Sequence, residues 1–252
     1  MSDSQRVYGL HAARALIRRD PARVRRVCVQ EGRQDPRMDE LLGEIEARGF
    51  RIERLPRREL DRLLPDARHQ GIMLEVAVAD VASERELDDF LIGLSPPALL
   101  LVLDGVQDPH NLGACLRTAD AAGVQAVILP KDRSATLTPV VRKVACGAAE
   151  TLPVFAVTNL ARTLRTLQAA GVWVYGAAGE VEQTLHQVDF TGPVALVLGA
   201  EGSGLRRLTR EHCDVLVKIP MAGSVESLNV SVAAGVLLYE VVRQRQGRGS
   251  RI

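Results

Sequence analysis

The sequence predicts an α/β protein in two parts, a small N-terminal α/β unit and a larger C-terminal unit with a parallel sheet. Three observations predict it. Short apolar runs rich in Val, Ile and Leu recur along the chain, as strands buried on both faces require. Segments with helical spacing and cap residues separate them. Polar and glycine-rich residues directly follow several of the runs, where open α/β sheets place ligands. A length of 252 residues suits one large domain or two ordinary ones.

The first part, residues 5–78, alternates helix and strand. Leu10 to Arg19 has the spacing of a short amphipathic helix, with Pro21 beyond it. Val24 to Gln30 is a β-branched strand pattern. Pro36 to Arg48 reads as a helix closed by Gly49, the residue type that follows a helix end in left-handed conformation. Phe50 to Leu55 reads as a strand, Arg57 to Leu64 as a short helix and Gly71 to Ala79 as a strand. Such an αβαβαβ unit is small but large enough to stand alone.

Residues 79–97 change character. Ser83, Glu84, Arg85, Glu86, Asp88 and Asp89 make an acidic, helix-compatible stretch, and Ser95-Pro96-Pro97 punctuates it, which suggests a partly helical linker. The second part, residues 98–246, carries the buried runs: Ala98 to Leu103, Ala126 to Leu129, Pro153 to Val157, Val172 to Ala177, Val194 to Leu198 and Val215 to Ile219. Helical patterns cover Asn111 to Ala122, Thr138 to Ala148, Asn159 to Ala170 and Leu228 to Arg243. The Gly- and Arg-rich tail Gln246 to Arg251 reads as frayed.

The bulk composition narrows the function classes. With 46% hydrophobic and 25% charged residues the chain has the material for a sizeable core. A net charge of +1 gives no global field for nucleic acid. Arginine nevertheless outnumbers lysine 29 to 3, and guanidinium forks match phosphate oxygens and stack on bases. Cys28, Cys115, Cys146 and Cys213 form no CxxC pair, so no metal site is expected; they read as small buried residues of a reducing cytosol. The start, Met1 to Arg6, is polar, and the longest apolar run, Pro96 to Leu103, is too short to span a bilayer. The expected location is the cytoplasm, with no membrane partner.

Three polar segments stand out. Asp104 to Gly113, running on to Arg117, follows the first buried run. Asn111 is a suitable helix cap. Gly113 and Arg117 are four apart on one helix face, a cation with open space beside it. Gly199-Ala200-Glu201-Gly202-Ser203-Gly204 follows another run; its glycines let a backbone approach a ligand, and Glu201 has no obvious core role. The order G-x-x-G-x-G is not the dinucleotide fingerprint, which argues against a nicotinamide enzyme. Ser227-Leu228-Asn229-Val230-Ser231 opens an apolar helix that Ser227 or Asn229 can cap. Ser231 and Gly235 are small and four apart, suited to close packing inside the molecule or between subunits. Each segment alone has an ordinary reading as cap, turn or surface cation.

Together, in order and spacing, they resemble the three motifs of the SpoU branch of the SPOUT RNA methyltransferases: Asn111-x-Gly113-x-x-x-Arg117-Thr118, Gly199-x-Glu201-Gly202-x-Gly204, and Ile219-Pro220-Met221 leading to Ser227-Leu228-Asn229-Val230-Ser231. Tyr8-Gly9 and His69-Gln70-Gly71-Ile72 are similar to the substrate-binding domain of that branch, so the resemblance covers nearly the whole chain. The stretch Pro220 to Ser231 narrows it to the enzymes that methylate a guanosine 2′-hydroxyl in 23S ribosomal RNA. Ala200 departs from the asparagine common there.

The resemblance implies a trefoil knot in the C-terminal domain, S-adenosylmethionine as cofactor and a homodimer with its site near the subunit interface. It implies cofactor contacts at Leu198, Gly199, Glu201, Gly202, Ile219, Met221, Ser227, Leu228 and Asn229. It implies a catalytic set of Arg117, Asn111, Glu201, Asn229 and Ser227, with Asn111 orienting Arg117 or the ribose. The partner would be 23S ribosomal RNA, free or in an assembling large subunit. The local cluster Arg18, Arg19, Arg23, Arg25 and Arg26 is expected to meet RNA phosphates. A non-catalytic RNA-binding protein on the same scaffold is the main rival, disfavoured by the intact Arg117, Glu201 and Asn229.

Overall fold

The computed structural model describes residues 4–33, 35–65, 67–77 and 81–249, and divides into two units between residues 80 and 81. The first unit runs β1 (Ser4–Tyr8), α1 (Leu10–Arg19), β2 (Val24–Gln30), α2 (Pro36–Ala47), β3 (Ile52–Leu55), α3 (Arg57–Leu63) and β4 (Ile72–Ala77). Its described strands form one sheet in the order β1-β4-β2-β3, with β2 and β3 parallel and β4 antiparallel to both β1 and β2. Leu16 and Ile17 of α1 pack with Met38, Leu41 and Ile45 of α2 over one face; Leu60 of α3 packs with Cys28 and Met73 on the other. Asp35 caps α2 by accepting the Arg37 N–H, Pro36 takes the first helical position, and Gly49 turns the chain out with φ 80°.

β1 is absent from the sequence reading. Only Val7 of its five residues is buried, so the segment lacks an apolar signal and is held by register along β4. Residues 78–80 lie outside the described residues, so the expected boundary at 78 and the start of the linker cannot be followed. The rest of that stretch is not a linker. It supplies β5 (Ala82–Ser83), paired parallel with a strand of the second unit, and α4 (Glu84–Ile92), opened by a Ser83–Glu86 capping box. Leu87 is buried and Phe90 lies 5.3 Å from Phe155, ring centre to ring centre.

The second unit continues β6 (Leu99–Asp104), α5 (Pro109–Ala121), β7 (Ala126–Pro130), α6 (Pro139–Ala145), α7 (Ala148–Thr151), β8 (Val154–Val157), α8 (Leu160–Ala169), β9 (Trp173–Ala177), β10 (Val194–Gly199), α9 (Arg207–Glu211), β11 (Val215–Val217) and α10 (Val230–Gly249). The described strands form a parallel sheet ordered β11-β9-β10-β6-β7-β8-β5. Every residue of β6 is buried, and its side chains alternate between two cores. Leu99, Leu101 and Leu103 join the core under α5 and α10, while Leu100 and Val102 join the one under α4 and α8. Burying each such leucine is worth about 1.5–3 kcal/mol.

Strand order reverses between β6 and β10. From β6 the chain builds outward through β7 and β8, then returns to lay β9, β10 and β11 on the other side. That break opens a crevice at the carboxyl ends of β6 and β10. The tail read as frayed is helical to Gly249, and no helix among the described residues is long and apolar enough to cross a membrane.

Candidate active site

In the β6–β10 register Asp104 stands opposite Gly199, so the first two polar segments leave the sheet side by side. Asp104 is buried at the end of an apolar strand. Its carboxylate accepts the Arg206 backbone N–H at 3.0 Å and binds the Arg206 guanidinium, which pins the chain just after the glycine loop. An acid closing an otherwise apolar strand was the only sequence signal for this pair. Only the carboxylate is buried; the Arg206 side chain is 47% exposed, so solvent screens the pair.

α5 begins two residues earlier than its apolar pattern indicates. Asp108, not Asn111, is the cap, accepting the His110 N–H at 2.9 Å, and Pro109 takes the first helical position. Asn111 lies inside the first turn, buried, and its side-chain oxygen faces the third segment. Gly113 does not provide open space beside Arg117. A Cβ there would stand 2.6 Å from Val144 Cβ and 2.8 Å from the Val141 carbonyl, so this glycine lets α6 close on α5.

At Gly199 a Cβ would lie 2.0 Å from the Gly204 carbonyl carbon, so the 199–204 loop folds back onto its own start. The Gly204 N–H donates to Ala200 at 2.9 Å, with Gly202 and Gly204 at positive φ. A side chain at 202 or 204 would meet nothing within 4 Å, which leaves the loop backbone open to a ligand.

Asn229 ties the three segments together. Its amide nitrogen donates to Asn111 Oδ1 at 2.9 Å and to Glu201 Oε1 at 2.6 Å; its oxygen accepts the Ser231 N–H at 3.0 Å and hydroxyl at 2.6 Å. Glu201 also accepts the Val230 N–H at 3.3 Å, so a carboxylate and an amide share the N-terminus of α10. Farther along α10, Gly235 faces Thr118 of α5, its Cβ position 3.6 Å from the threonine methyl, which assigns that small residue to packing within the unit.

Other expected residues are placed but not joined. Arg117 is exposed and makes no hydrogen bond or ion pair among the described residues; Asn111, already engaged by Asn229, does not orient it. Ser227 is exposed in the loop before α10. Leu198 is buried, while Ile219, Met221 and Leu228 are half-buried around the strand ends. Beneath the site, burial pushes the Cys115 thiol up to about 12, with the Glu201 carboxylate adding to it, which makes that sulfur inert.

In the first unit the expected arginine cluster is largely engaged. Arg18 grips Glu44 with two bonds of 2.7–2.8 Å, Arg26 grips Glu53 with two of 2.6–2.7 Å, and Arg23 donates to the Ala77 carbonyl at 2.9–3.0 Å. Arg25 is exposed, and the Arg19 side chain lies outside the described residues.

Comparison with known proteins covers both units. Residues 98–239 match the model of the SpoU rRNA Methylase family, and residues 6–80 match the model described as RNA 2′-O ribose methyltransferase substrate binding. The chain is 58% identical over 246 residues to the 23S rRNA (guanosine-2′-O-)-methyltransferase RlmB of Pseudomonas putida, covering 98% of this chain and 99% of that one. It is 60% identical to the protein of the same name from Pseudomonas aeruginosa, covering 97% and 98%. Among solved structures it is similar to the SpoU methyltransferase AviRb of Streptomyces viridochromogenes in complex with AdoMet. That match has 25% identity and a TM-score of 0.71, over 97% of this chain and 92% of that one.

Proposed function

The chain belongs to the SpoU rRNA methylase family, and we propose from that premise that it transfers the methyl group of S-adenosylmethionine to the ribose 2′-hydroxyl of a guanosine in 23S ribosomal RNA. The observation that carries this is the Asn111–Asn229–Glu201 cluster, which draws all three polar segments to the crevice at the carboxyl ends of β6 and β10.

The residues present fit the cofactor. Ile219, Met221 and Leu228 offer apolar surface for a flat adenine, and Leu198, Gly199, Gly202, Ser227 and Asn229 offer backbone groups for its edge. When bound, S-adenosylmethionine supplies a methyl group on a positively charged sulfur, whose departure leaves a neutral thioether. The protein must then hold a ribose oxygen in line with that methyl and accommodate the proton the hydroxyl loses. Arg117, with no partner among the described residues, stabilises the developing oxyanion or the neighbouring phosphate; a guanidinium stays protonated and is not the base. Asn111, Glu201 and Asn229 act as positioning residues that fix the loop and the start of α10.

The proposal includes a homodimer and, as the resemblance implies, a knotted C-terminal domain. Arg117 lies six residues beyond Asn111, about 240° around the helix, so it points away from the cluster of its own chain. Val232, Val236 and Tyr239 form an exposed apolar stripe on α10. Both features suit a site completed at a subunit interface. Sedimentation should give twice the mass of one chain, and Val236→Glu should shift it toward one. Of the described side chains in the arginine stretch, Arg25 is the one without an internal partner and is left to meet RNA. An enzyme with this substrate works in the cytoplasm, where ribosomes are assembled.

The deciding experiment measures labelled methyl transfer and cofactor affinity in Arg117→Ala. Turnover should fall at least about 100-fold, the scale of a lost oxyanion donor, with cofactor affinity unchanged. Near-normal turnover would remove Arg117 from the mechanism.

A further inference from the structure

Loops at one end of the first unit's sheet line a cavity. β2 and β3 run parallel, β4 runs against β2, and β1 against β4. The ends of β1, β2 and β3 and the start of β4 therefore share one edge. There a cavity of about 380 Å³ opens, lined by Arg33, Arg57, Arg68, Asp61, His69 and Gln70 among others.

The wall of this cavity is built with care for hydrogen bonding. His69 is 6% exposed, and both of its ring nitrogens are used. Nδ1 accepts the Gly71 N–H at 3.0 Å, which leaves the proton on Nε2, 2.9 Å from Asp61 Oδ1. The carboxylate is thus held by the histidine, with Arg57 Nε at 3.7 Å from its other oxygen. Gln70 sits at φ 51°, in the left-handed region that a glutamine adopts rarely. Its oxygen accepts the Leu10 N–H at 3.0 Å, and its amide nitrogen has no partner among the described residues. Gly71 makes room for Arg33: a Cβ there would stand 2.9 Å from Arg33 Cδ. Arg33 is fixed by Asp35 at 2.8 Å, while Arg68 is exposed and unpaired among the described residues.

Three guanidinium groups therefore line one cavity: Arg33 is paired with Asp35, Arg57 lies 3.7 Å from Asp61, and Arg68 has no partner among the described residues. An anion with several oxygens fits such a set, because each guanidinium fork carries more N–H donors than one carboxylate takes up. The volume suits one nucleotide, and an opening of this kind does not match the broad, shallow minor groove of an RNA duplex. The geometry points to this cavity as a subsite for an unpaired RNA nucleotide. Its phosphate lies among Arg33, Arg57 and Arg68, and the Gln70 amide donates to its base or sugar. The assignment rests on the reading of the chain as a ribosomal RNA methyltransferase. It places the grip on RNA at the loop end of the sheet, away from the paired arginines of α1 and β2.

The test uses the full-length protein, a single-stranded 23S rRNA fragment and the same fragment annealed to its complement. Binding is followed by fluorescence anisotropy over a range of salt. In Arg57→Ala/Arg68→Ala the affinity for the single strand should fall at least about tenfold. The slope of log affinity against log salt should decrease by about 0.7, the share of the one phosphate placed there. KM for the RNA should rise with kcat and cofactor affinity unchanged. Arg68→Ala alone, which removes an exposed and unpaired side chain, should show half the change in slope with the fold intact. Arg58→Ala, on α3 but outside the cavity lining, should bind as the wild type does. Unchanged affinity and slope in the double variant, or equal loss in Arg58→Ala, would overturn the subsite; equal wild-type affinity for the duplex would overturn its preference for unpaired RNA. Wild-type methyl transfer to the rRNA is measured in parallel. Its absence would count against the proposed activity, while the binding measurements would still decide the subsite.

Discussion

Asn229 uses both ends of its amide, and the orientation of that amide is set by its neighbours. The nitrogen must face Asn111 Oδ1 and Glu201, because both are acceptors there, and the oxygen must face Ser231. Asn229→Ala removes a helix cap and should cost about 1–2 kcal/mol. Asn229→Asp keeps the cap to Ser231 but sets a second carboxylate against Glu201. It should be less stable than the alanine variant near neutral pH and bind S-adenosylmethionine more weakly. Thermal unfolding and calorimetry of the two variants check the order; equal behaviour would mean that the link to Glu201 carries little. Composition and spacing marked Asn229 as a cap and Glu201 as a loop carboxylate without a core role, and the structure has them share one helix start. The bond from Asn229 to Asn111 spans 118 residues, and no local pattern encodes such a pairing. Gly113 shows the opposite problem: a glycine beside an arginine suggests space, but here it marks where another helix comes close.

α10 is anchored by polar groups at its start and again past its midpoint, with an apolar stretch between. In its second half Glu240 is 6% exposed and accepts bonds from Arg243 and Gln244, while Gln244 holds the Phe190 N–H and the Val188 carbonyl. The Arg243 guanidinium, then the Gln244 amide, hold the Glu240 carboxyl down to about 2 from the ordinary 4.5. A carboxyl depressed on folding contributes its full stability above the unfolded value and loses it as pH falls toward the folded one. The melting temperature should therefore drop between about pH 4.5 and 2, and Glu240→Gln should flatten that limb. At this scale the sequence was most readable where burial is two-sided. β6, β7, β8, β9 and β10 appear as apolar runs because both faces of the sheet are covered. β1 was invisible because it buries only Val7, and β5 because its two residues depend on pairing with β8. The start of α5 was misplaced because Asp108 and Asn111 are both competent caps, and Pro109 between them decides for the first.

The whole chain divides its work between two units. The domain boundary proposed here follows the contacts, after residue 80, with the acidic stretch built into the second unit through α4. A fragment of residues 81–252 should keep S-adenosylmethionine affinity within about threefold of the full chain, since every residue assigned to the cofactor lies in it, and should lose most of its affinity for rRNA. Calorimetry and anisotropy on the fragment check both halves, and loss of cofactor affinity in a folded fragment would refute the division. The amide of Asn229 also sets an order of events as the protein is made. Synthesis proceeds at roughly 5–20 residues per second from the N-terminus, so Asn111 and Glu201 emerge before the residue that joins them. A growing chain already carries the residues of the arginine-lined cavity while its methyl-donor site, and the core that α10 covers, are still open. It is a potential RNA binder before it is a methyltransferase, and catalysis waits for the last helix to begin.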